Sequence, residues 1–221
     1  MINHKWRLDP DETVCGASID EPTMPHQALN NQRNQPMNQP HLVEHNAHFH
    51  ADLSLEAMVD YMVATHHRYI KEQAPLIREK LQRVVMVHGA AHPELAEIEA
   101  LFAGAAADLL QHLRKEEMIL FPYIVALSRA EAAGERLSPP PFGQVANPIN
   151  MMLHEHDGEL NRFERLAQLT GQYTPPEGAC NTYRLSYDLL AQFAQDLHTH
   201  IGLENEVLFP KAVEVEALIV A

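Results

Sequence analysis

The segments His112-Leu-Arg-Lys-Glu116-Glu-Met-Ile-Leu-Phe-Pro122 and His200-Ile-Gly-Leu-Glu204-Asn-Glu-Val-Leu-Phe-Pro210 repeat one pattern position by position. In each segment a histidine precedes a glutamate by four residues, and Leu-Phe-Pro follows that glutamate after three more. Residues four apart in an α-helix lie on one face, about one turn from each other. Each segment therefore presents an imidazole and a carboxylate to the same side of one helix.

Apolar residues around both segments predict that these polar pairs face a helical core. Intervals of three and four residues, which mark the buried face of a helix, lead into each pair and continue beyond it. Before His112 the apolar stripe consists of Ile98, Phe102, Ala105 and Leu109, and we expect it to resume at Ile119 and Tyr123. Around the second pair it consists of Leu190, Phe193 and Leu197, followed by Val207 and Leu208.

A single histidine on the preceding helix completes each unit. His156 shares an apolar face with Ile149, Leu153 and Phe163, whereas His66 and His67 both lie at the boundary of an earlier stripe. Periodicity alone does not choose between these two neighbours. His67 precedes His112 by 45 residues and His156 precedes His200 by 44, so a two-helix unit supplying His, then His-x3-Glu, occurs twice.

The chain from Ser54 onward has the pattern of four long amphipathic helices, without a useful alternating strand pattern. We predict helices over about 55–87, 93–133, 147–171 and 182–216, with a bend at Pro75 and a side-chain cap from Asn147. The fold class is thus all-α, an up-down-up-down four-helix bundle over residues 51–221. Residues 1–50 are rich in Pro, Asn, Gln and His, which predicts an irregular extension or linker.

Two glutamates and four imidazoles converging in a bundle core indicate a metal site. A lone buried carboxylate costs several kcal/mol or takes up a proton, and multivalent cations would compensate the group. Two glutamates bridging two ions, with two histidines on each, would leave room for an oxo or hydroxo bridge and for an exogenous ligand. Imidazole and carboxylate ligation without thiolate favours iron, with manganese and zinc as competitors.

Composition argues against several other classes of protein. The chain has 221 residues, with 16 Lys plus Arg against 30 Asp plus Glu, and a net charge of −14 argues against a nucleic-acid partner. Its apolar stretches are far short of the roughly 20 residues of a membrane helix. Since we find no secretory signal, we expect a cytoplasmic protein. The two cysteines, Cys15 and Cys180, are too far apart for a CxxC motif, and we expect Cys15 to be the more exposed to oxidation or nitrosation.

Several further segments, together with the repeated pattern, carry a resemblance to a known family. They are His66-His67, His88-Gly-Ala-Ala-His92-Pro-Glu-Leu95, Glu155-His156-Asp157 and Pro175-Pro-Glu-Gly-Ala-Cys180. Over about residues 54–211 the chain resembles the hemerythrin-like di-iron proteins of the iron–sulfur cluster repair family. In that family the metal histidine of the first helix precedes the helix's proline by eight residues, which selects His67. The resemblance implies two irons, with Glu116 and Glu204 as bridges, and the ligands His67, His112, Glu116, His156, His200 and Glu204.

The resemblance implies a function in repairing iron–sulfur clusters damaged by nitric oxide or peroxide, with iron–sulfur proteins as clients. Donation of iron to a damaged cluster and handling of bound nitric oxide would both use an open coordination position, and the sequence does not choose between them. The family usually carries a Cys-Cys-Gly-Gly motif upstream, whereas this chain has only Cys15-Gly16. We therefore do not assign the role of the family's upstream domain to residues 1–50.

Reversible binding or sensing of O2 or NO, as in hemerythrin itself, is the alternative function. Such proteins usually have an additional histidine on the third helix. Here His154 lies two residues from His156, whereas a second ligand on the same face needs a spacing of three or four. The sequence leaves open whether the chain is an enzyme, and whether it is a monomer or a homodimer.

Two acidic residues next to the predicted ligands are candidates for a supporting role. Asp108 lies one helical turn before His112, and Glu155 is adjacent to His156. Either carboxylate could accept a hydrogen bond from a ligand imidazole, or line an access channel. A solvated helix surface is an equally good interpretation of both.

Overall fold

Four long helices form the computed structural model, which describes residues 52–220. The all-α fold class is confirmed, and each helix begins and ends within a few residues of its predicted limits. α1 comprises Leu55–Met62, Val63–His67 and Arg68–His88, α2 comprises Glu94–Lys115, Glu116–Leu120 and Phe121–Ala133, α3 is Ala146–Leu169, and α4 comprises Asn181–Leu203, Glu204–Leu208 and Phe209–Ile219. The predicted division at residue 50 and the predicted role of Cys15 fall outside the described residues.

Short connections make sequential helices neighbours in the bundle. α1 packs against α2 and α4, and α3 packs against the same two helices, as expected for an up-down-up-down arrangement. α1 continues without a break through Pro75. No strand forms within residues 52–220, where Leu137 and Val220 make one isolated bridge. No described helix combines the length and the apolar character that crossing a bilayer demands.

Three of the four helices contain a π-helical turn, which the sequence analysis did not predict. These turns are the middle segments of α1, α2 and α4. At the end of each turn a backbone N–H donates to the carbonyl five residues earlier, as Phe121 does to Glu116 and Phe209 does to Glu204. Pro122 and Pro210 follow directly, and neither has an N–H to continue the regular ladder. Single π-turns within α-helices are frequent at functional sites.

The π-turn in α2 makes the predicted continuation of its apolar stripe wrong. We expected Ile119 and Tyr123 on the buried face, but Ile119 is 51% exposed and Tyr123 is only half-buried. Leu120, Phe121 and Ile124 are buried instead. A π-turn takes up about one residue more than an α-turn, so every later side chain is displaced by roughly one position around the helix axis.

The start of α3 also differs from the prediction. Asn147 lies inside the helix rather than at its cap, and its amide donates to the carbonyl of Phe142. The carboxylate of Glu216 on α4 accepts the Val145 N–H at 2.9 and 3.0 Å, and also accepts the Tyr123 hydroxyl at 2.8 Å. The carboxylate of Glu216 therefore caps the start of α3, in place of the predicted cap from Asn147.

Replacing Glu216 with alanine should lower the free energy of unfolding by about 2 kcal/mol, because a buried N–H and a hydroxyl would lose their acceptor. The matched control is Glu214→Ala, two residues away on the exposed side of α4, which should change stability by less than about 0.5 kcal/mol. Urea unfolding followed by circular dichroism measures both. Equal losses for the two variants would contradict this role of Glu216.

Two apolar clusters divide the bundle along its length, with a layer of polar side chains between them. One cluster contains Ile70, Phe102, Leu109 and Phe193, and the other contains Met62, Leu120, Met152 and Leu208. Seven buried side chains lie at the junction, within or next to the π-turns and at the matching level of α3: His66, His67, His112, Glu116, His156, His200 and Glu204. Apolar packing on both sides therefore keeps bulk water away from this layer.

Candidate metal centre

The six predicted ligands lie together in the polar layer, all nearly inaccessible to solvent. Their exposed fractions range from 0% for His67, Glu116 and Glu204 to 4% for His112. Glu116 and Glu204 are the first residues of the π-turns in α2 and α4, and His67 is the last residue of the π-turn in α1. Helix α3 supplies His156 from a regular turn. The four helices thus bring these side chains to one depth of the bundle.

The ligand atoms divide into two groups that share both carboxylates. His67 and His200 form one group with Glu116 and Glu204, and His112 and His156 form the other with the same two glutamates. Within each group the candidate ligand atoms all lie within 4.8 Å of one another. Each glutamate directs one carboxylate oxygen to each group. Glu116 Oε2 lies 3.4 Å from His67 Nε2, and its Oε1 lies 3.3 Å from His112 Nε2. Glu204 Oε1 lies 3.2 Å from His200 Nε2, and its Oε2 lies 3.2 Å from His156 Nε2.

Unsatisfied polar atoms in this layer fit a bound cation pair. Both oxygens of Glu116, both oxygens of Glu204, and Nε2 of His67 and of His200 are buried without a hydrogen-bond partner among the described residues. Leaving such groups unsatisfied in an apolar core is costly. Two ligand atoms about 2.1 Å from one ion lie about 3.0–3.4 Å apart at angles between right and tetrahedral. The nitrogen–oxygen distances, and the 3.1 Å between His112 Nε2 and His156 Nε2, agree with this spacing.

Side-chain oxygens fix the orientation of three of the four imidazoles. Nδ1 of His67 donates to Glu117 at 2.7 Å, Nδ1 of His112 donates to Glu155 at 2.9 Å, and Nδ1 of His156 donates to Asn205 at 2.8 Å. These bonds place the proton on Nδ1 and leave Nε2 free for a metal. Glu117 and Asn205 each directly follow a shared glutamate in the sequence. Asn205 was not predicted from the sequence, and its position directly after Glu204 is the feature that could have identified it.

Asp108 and Glu155, the two acidic candidates, have different surroundings. Glu155 bonds to His112 and to Lys115, whereas Asp108 pairs with Arg162 at 2.7 Å and its side chain is 59% exposed. Both residues line a cavity of about 300 Å³ at the α2–α3 surface. His112 and the exposed His154 line the same cavity, which therefore reaches the edge of the polar layer.

Glu155→Ala should weaken metal binding by about 10- to 100-fold, because His112 would lose the acceptor that orients its ring. His154→Ala is the matched control, since His154 lines the same cavity without a hydrogen bond to the six side chains among the described residues, and it should bind metal as the wild type does. Competition with a chelator of known affinity measures both. Equal affinities for the two variants would contradict the orienting role of Glu155.

The buried carboxylates dominate the electrostatics of the metal-free site. Burial lowers the pKa of His112, but the carboxylate of Glu116 at 3.3 Å, with smaller contributions from Glu204 and Glu155, raises it to about 9. Burial also lowers the pKa of His67, but the nearby carboxylate of Glu116 outweighs burial, and the pKa is raised. Burial raises the pKa of Glu204, but the imidazoles of His200 and His156 hold it well below its usual value. Without metal, protonation of His112 and His67 compensates the glutamates.

Other residues singled out from the sequence lie elsewhere. His88 Nε2 lies 3.2 Å from Cys180 Sγ and His92 pairs with Glu94, at the end of the bundle where α1 meets α2. His88 and His92 contact the ring of Tyr183, so both histidines pack at this end of the bundle. His66 is buried next to the six ligand candidates, although it belongs to neither group of four.

Comparison with known families agrees with this geometry. Residues 58–212 match the hemerythrin HHE cation binding domain, and the chain belongs to that family. Among its relatives, iron-sulfur cluster repair protein YtfE of Musicola paradisiaca (strain Ech703) is 39% identical over 166 residues, which cover 74% of this chain and 68% of that protein. Iron-sulfur cluster repair protein DnrN of Neisseria gonorrhoeae is 35% identical over 158 residues, which cover 72% of this chain and 91% of the relative. The resemblance stated from the sequence is confirmed.

Proposed function

We propose that the chain holds two iron ions, one in each group of four side chains. His67 and His200 would hold one ion, His112 and His156 would hold the other, and Glu116 and Glu204 would bridge both. The observation that carries this proposal is the sharing of both carboxylates between the two groups. A site built from imidazole and carboxylate donors without thiolate suits iron. When bound, the ions would supply redox chemistry and an open coordination position.

The function that we propose for this centre is repair of iron–sulfur clusters damaged by nitric oxide or oxidants, with iron–sulfur proteins as clients. Relatives over most of this chain are named iron-sulfur cluster repair proteins, which supports this function over reversible O2 binding. Two routes remain within it: iron passes to the damaged cluster, or nitric oxide is handled at the di-iron centre. The cytoplasm is the location that we expect for this activity.

The side chains of this chain would serve both routes in the same way. The two apolar clusters exclude bulk water from the centre, and Glu117, Glu155 and Asn205 hold three imidazoles with Nε2 directed toward the site. The cavity beside His112 gives a small ligand or chelating group an approach from solvent. Six protein ligands for two ions leave coordination positions open, which favours exchange of ligands or of iron.

The proposed function is tested with an iron–sulfur dehydratase that nitric oxide has inactivated. Protein loaded with ⁵⁷Fe is added anaerobically with a reductant and a sulfide source, and client activity and Mössbauer spectra are recorded. Recovery with ⁵⁷Fe in the client's clusters is the result expected for iron donation. Recovery without ⁵⁷Fe, accompanied by consumption of nitric oxide, indicates handling of nitric oxide.

Two controls make this test decisive. The same amount of free ⁵⁷Fe²⁺ shows how much recovery needs no protein, and Glu116→Ala shows how much recovery needs the shared carboxylates. If the loaded protein restores no more activity than free iron, and consumes no nitric oxide, the proposed repair function is wrong. A stable, reversible O2 adduct of the reduced protein in that case would favour the hemerythrin-like alternative.

A further inference from the structure

The pseudo-two-fold repeat extends beyond the six ligand candidates. Glu117 and Asn205, which directly follow the shared glutamates, contact equivalent histidines, His67 and His156. By the same correspondence, His66, which directly precedes His67, is equivalent to Glu155, which directly precedes His156. Asp196, four residues before His200, matches Asp108, four residues before His112. Since Glu155 accepts the Nδ1–H of His112, the repeat places His66 where an acceptor for His200 is needed.

The surroundings of His66 agree with this correspondence. His66 is 3% exposed, its ring is nearly parallel to that of His200 at 8°, and the ring centroids are 5.7 Å apart. Nδ1 of His66 lies 2.9 Å from Asp196 Oδ1. Nε2 of His66 and Nδ1 of His200 are both buried without a hydrogen-bond partner among residues 52–220. His200 is thus the one ligand candidate whose Nδ1 has no side-chain oxygen as an acceptor in the described bundle.

The tautomers of the two rings are complementary. A carboxylate on Nδ1 fixes the proton of His66 there, so that Nε2 of the neutral ring is an acceptor. A histidine that gives Nε2 to a metal carries its proton on Nδ1 and has a donor to satisfy. We propose that His66, held by Asp196, is the residue that positions His200, and that Nε2 of His66 accepts the Nδ1–H of His200 directly or through one water molecule. This inference rests on the proposed metal centre and is independent of the repair activity.

An imidazole acceptor differs from the carboxylate that serves His112. Hydrogen bonds to an ionised acceptor are stronger than those to a neutral one. The imidazole of His200 would therefore be polarised less strongly than that of His112. Removing the acceptor altogether should loosen His200. Partners of this kind typically account for a 10- to 100-fold difference in metal affinity.

The test compares metal release from the full-length wild type and four variants of it. Wild type, His66→Leu, His66→Gln, Asp196→Ala and Asp188→Ala are loaded with iron, and release to a chelator is followed by absorbance. His66→Leu should release metal about tenfold faster than the wild type. His66→Gln should remain close to the wild type, because its amide can donate to Asp196 and accept from His200. Asp188→Ala, which removes an exposed carboxylate two turns before Asp196 on the same helix, is the control and should not change the rate.

Outcomes of this experiment are distinct. Asp196→Ala leaves the His66 ring in place but frees its tautomer, so faster release from this variant supports the proposal even if His66→Leu does not fold. Wild-type release from both His66→Leu and Asp196→Ala overturns it, and so does a rate for His66→Gln as fast as that of His66→Leu. A wild-type chain that binds no metal refutes the metal centre itself, which is a different result.

Discussion

Glu116→Ala or Glu204→Ala should reduce the metal content of the protein from two ions per chain to well below one. Each of these carboxylates belongs to both groups of ligand atoms, with one oxygen directed to each. Its loss therefore removes a ligand and half of the compensating negative charge from both ions at once. Metal analysis of protein purified from iron-supplemented cells, with circular dichroism to establish folding, measures the effect.

Glu206→Ala is the matched control for this prediction, because Glu206 lies in the same π-turn as Glu204 but is exposed. That variant should retain the metal content of the wild type. If both Glu116→Ala and Glu204→Ala purify with normal metal occupancy, neither glutamate is a bridge. The arrangement of two ions that share both carboxylates would then be wrong.

The metal-free protein should lose stability as the pH rises from about 6.5 to about 9. His112 has its pKa raised from 6.5 to about 9, so the protonated imidazole stabilises the folded chain fully below pH 6.5, and this stabilisation is lost as the pH rises through the folded pKa. The difference corresponds to about 3 kcal/mol. His67, whose pKa is also raised, contributes in the same direction.

Urea unfolding of the metal-free protein at pH 6, 7.5 and 9 measures this effect. The metal-loaded protein should show a much smaller dependence over the same range, because the cations replace the protons in compensating the glutamates. His112→Gln identifies the group, since its metal-free form should lose less stability over this range than the metal-free wild type. A stability of the metal-free wild type that is constant, or that increases, between pH 6 and pH 9 would contradict the assigned shift.

Much of the fold and the geometry of the six candidates could be predicted because both depend on local periodicity. The three- and four-residue intervals that place Leu109 and Leu197 in the core extend one turn further to His112 and His200, so the inward direction of these histidines was visible in the sequence. The duplication of the pattern then indicated that the groups lie at one level. Their assignment as metal ligands is still a prediction.

The π-turns could not be predicted from the same periodicity, since they are the places where it changes. Ile119 was expected to be buried because an unbroken α-helix would bury it, and it is exposed because the turn beginning at Glu116 displaces the following face. The same kind of turn in α1 explains why periodicity did not choose between His66 and His67. Both histidines are buried, and they face different neighbours.

The hydrogen-bond partners of the imidazoles were harder to predict than the imidazoles themselves. Asn205 and Asp196 contact histidines on other helices, 49 and 130 residues away in the sequence, so no local spacing reports these pairs. From the sequence, Asp108 and Glu155 were equally good candidates to support a ligand imidazole, because each lies close to a predicted ligand. Only the packing of α2 against α3 shows that Glu155 bonds to His112, whereas Asp108 pairs with Arg162 near the surface.

The most direct test of the proposed centre is a crystal structure of protein purified with iron, with anomalous diffraction data recorded above and below the iron absorption edge. We predict two iron peaks in the polar layer, one between His67 and His200 and the other between His112 and His156, with Glu116 and Glu204 bound to both. A single peak, peaks away from these six side chains, or no iron signal in a folded protein would contradict the account.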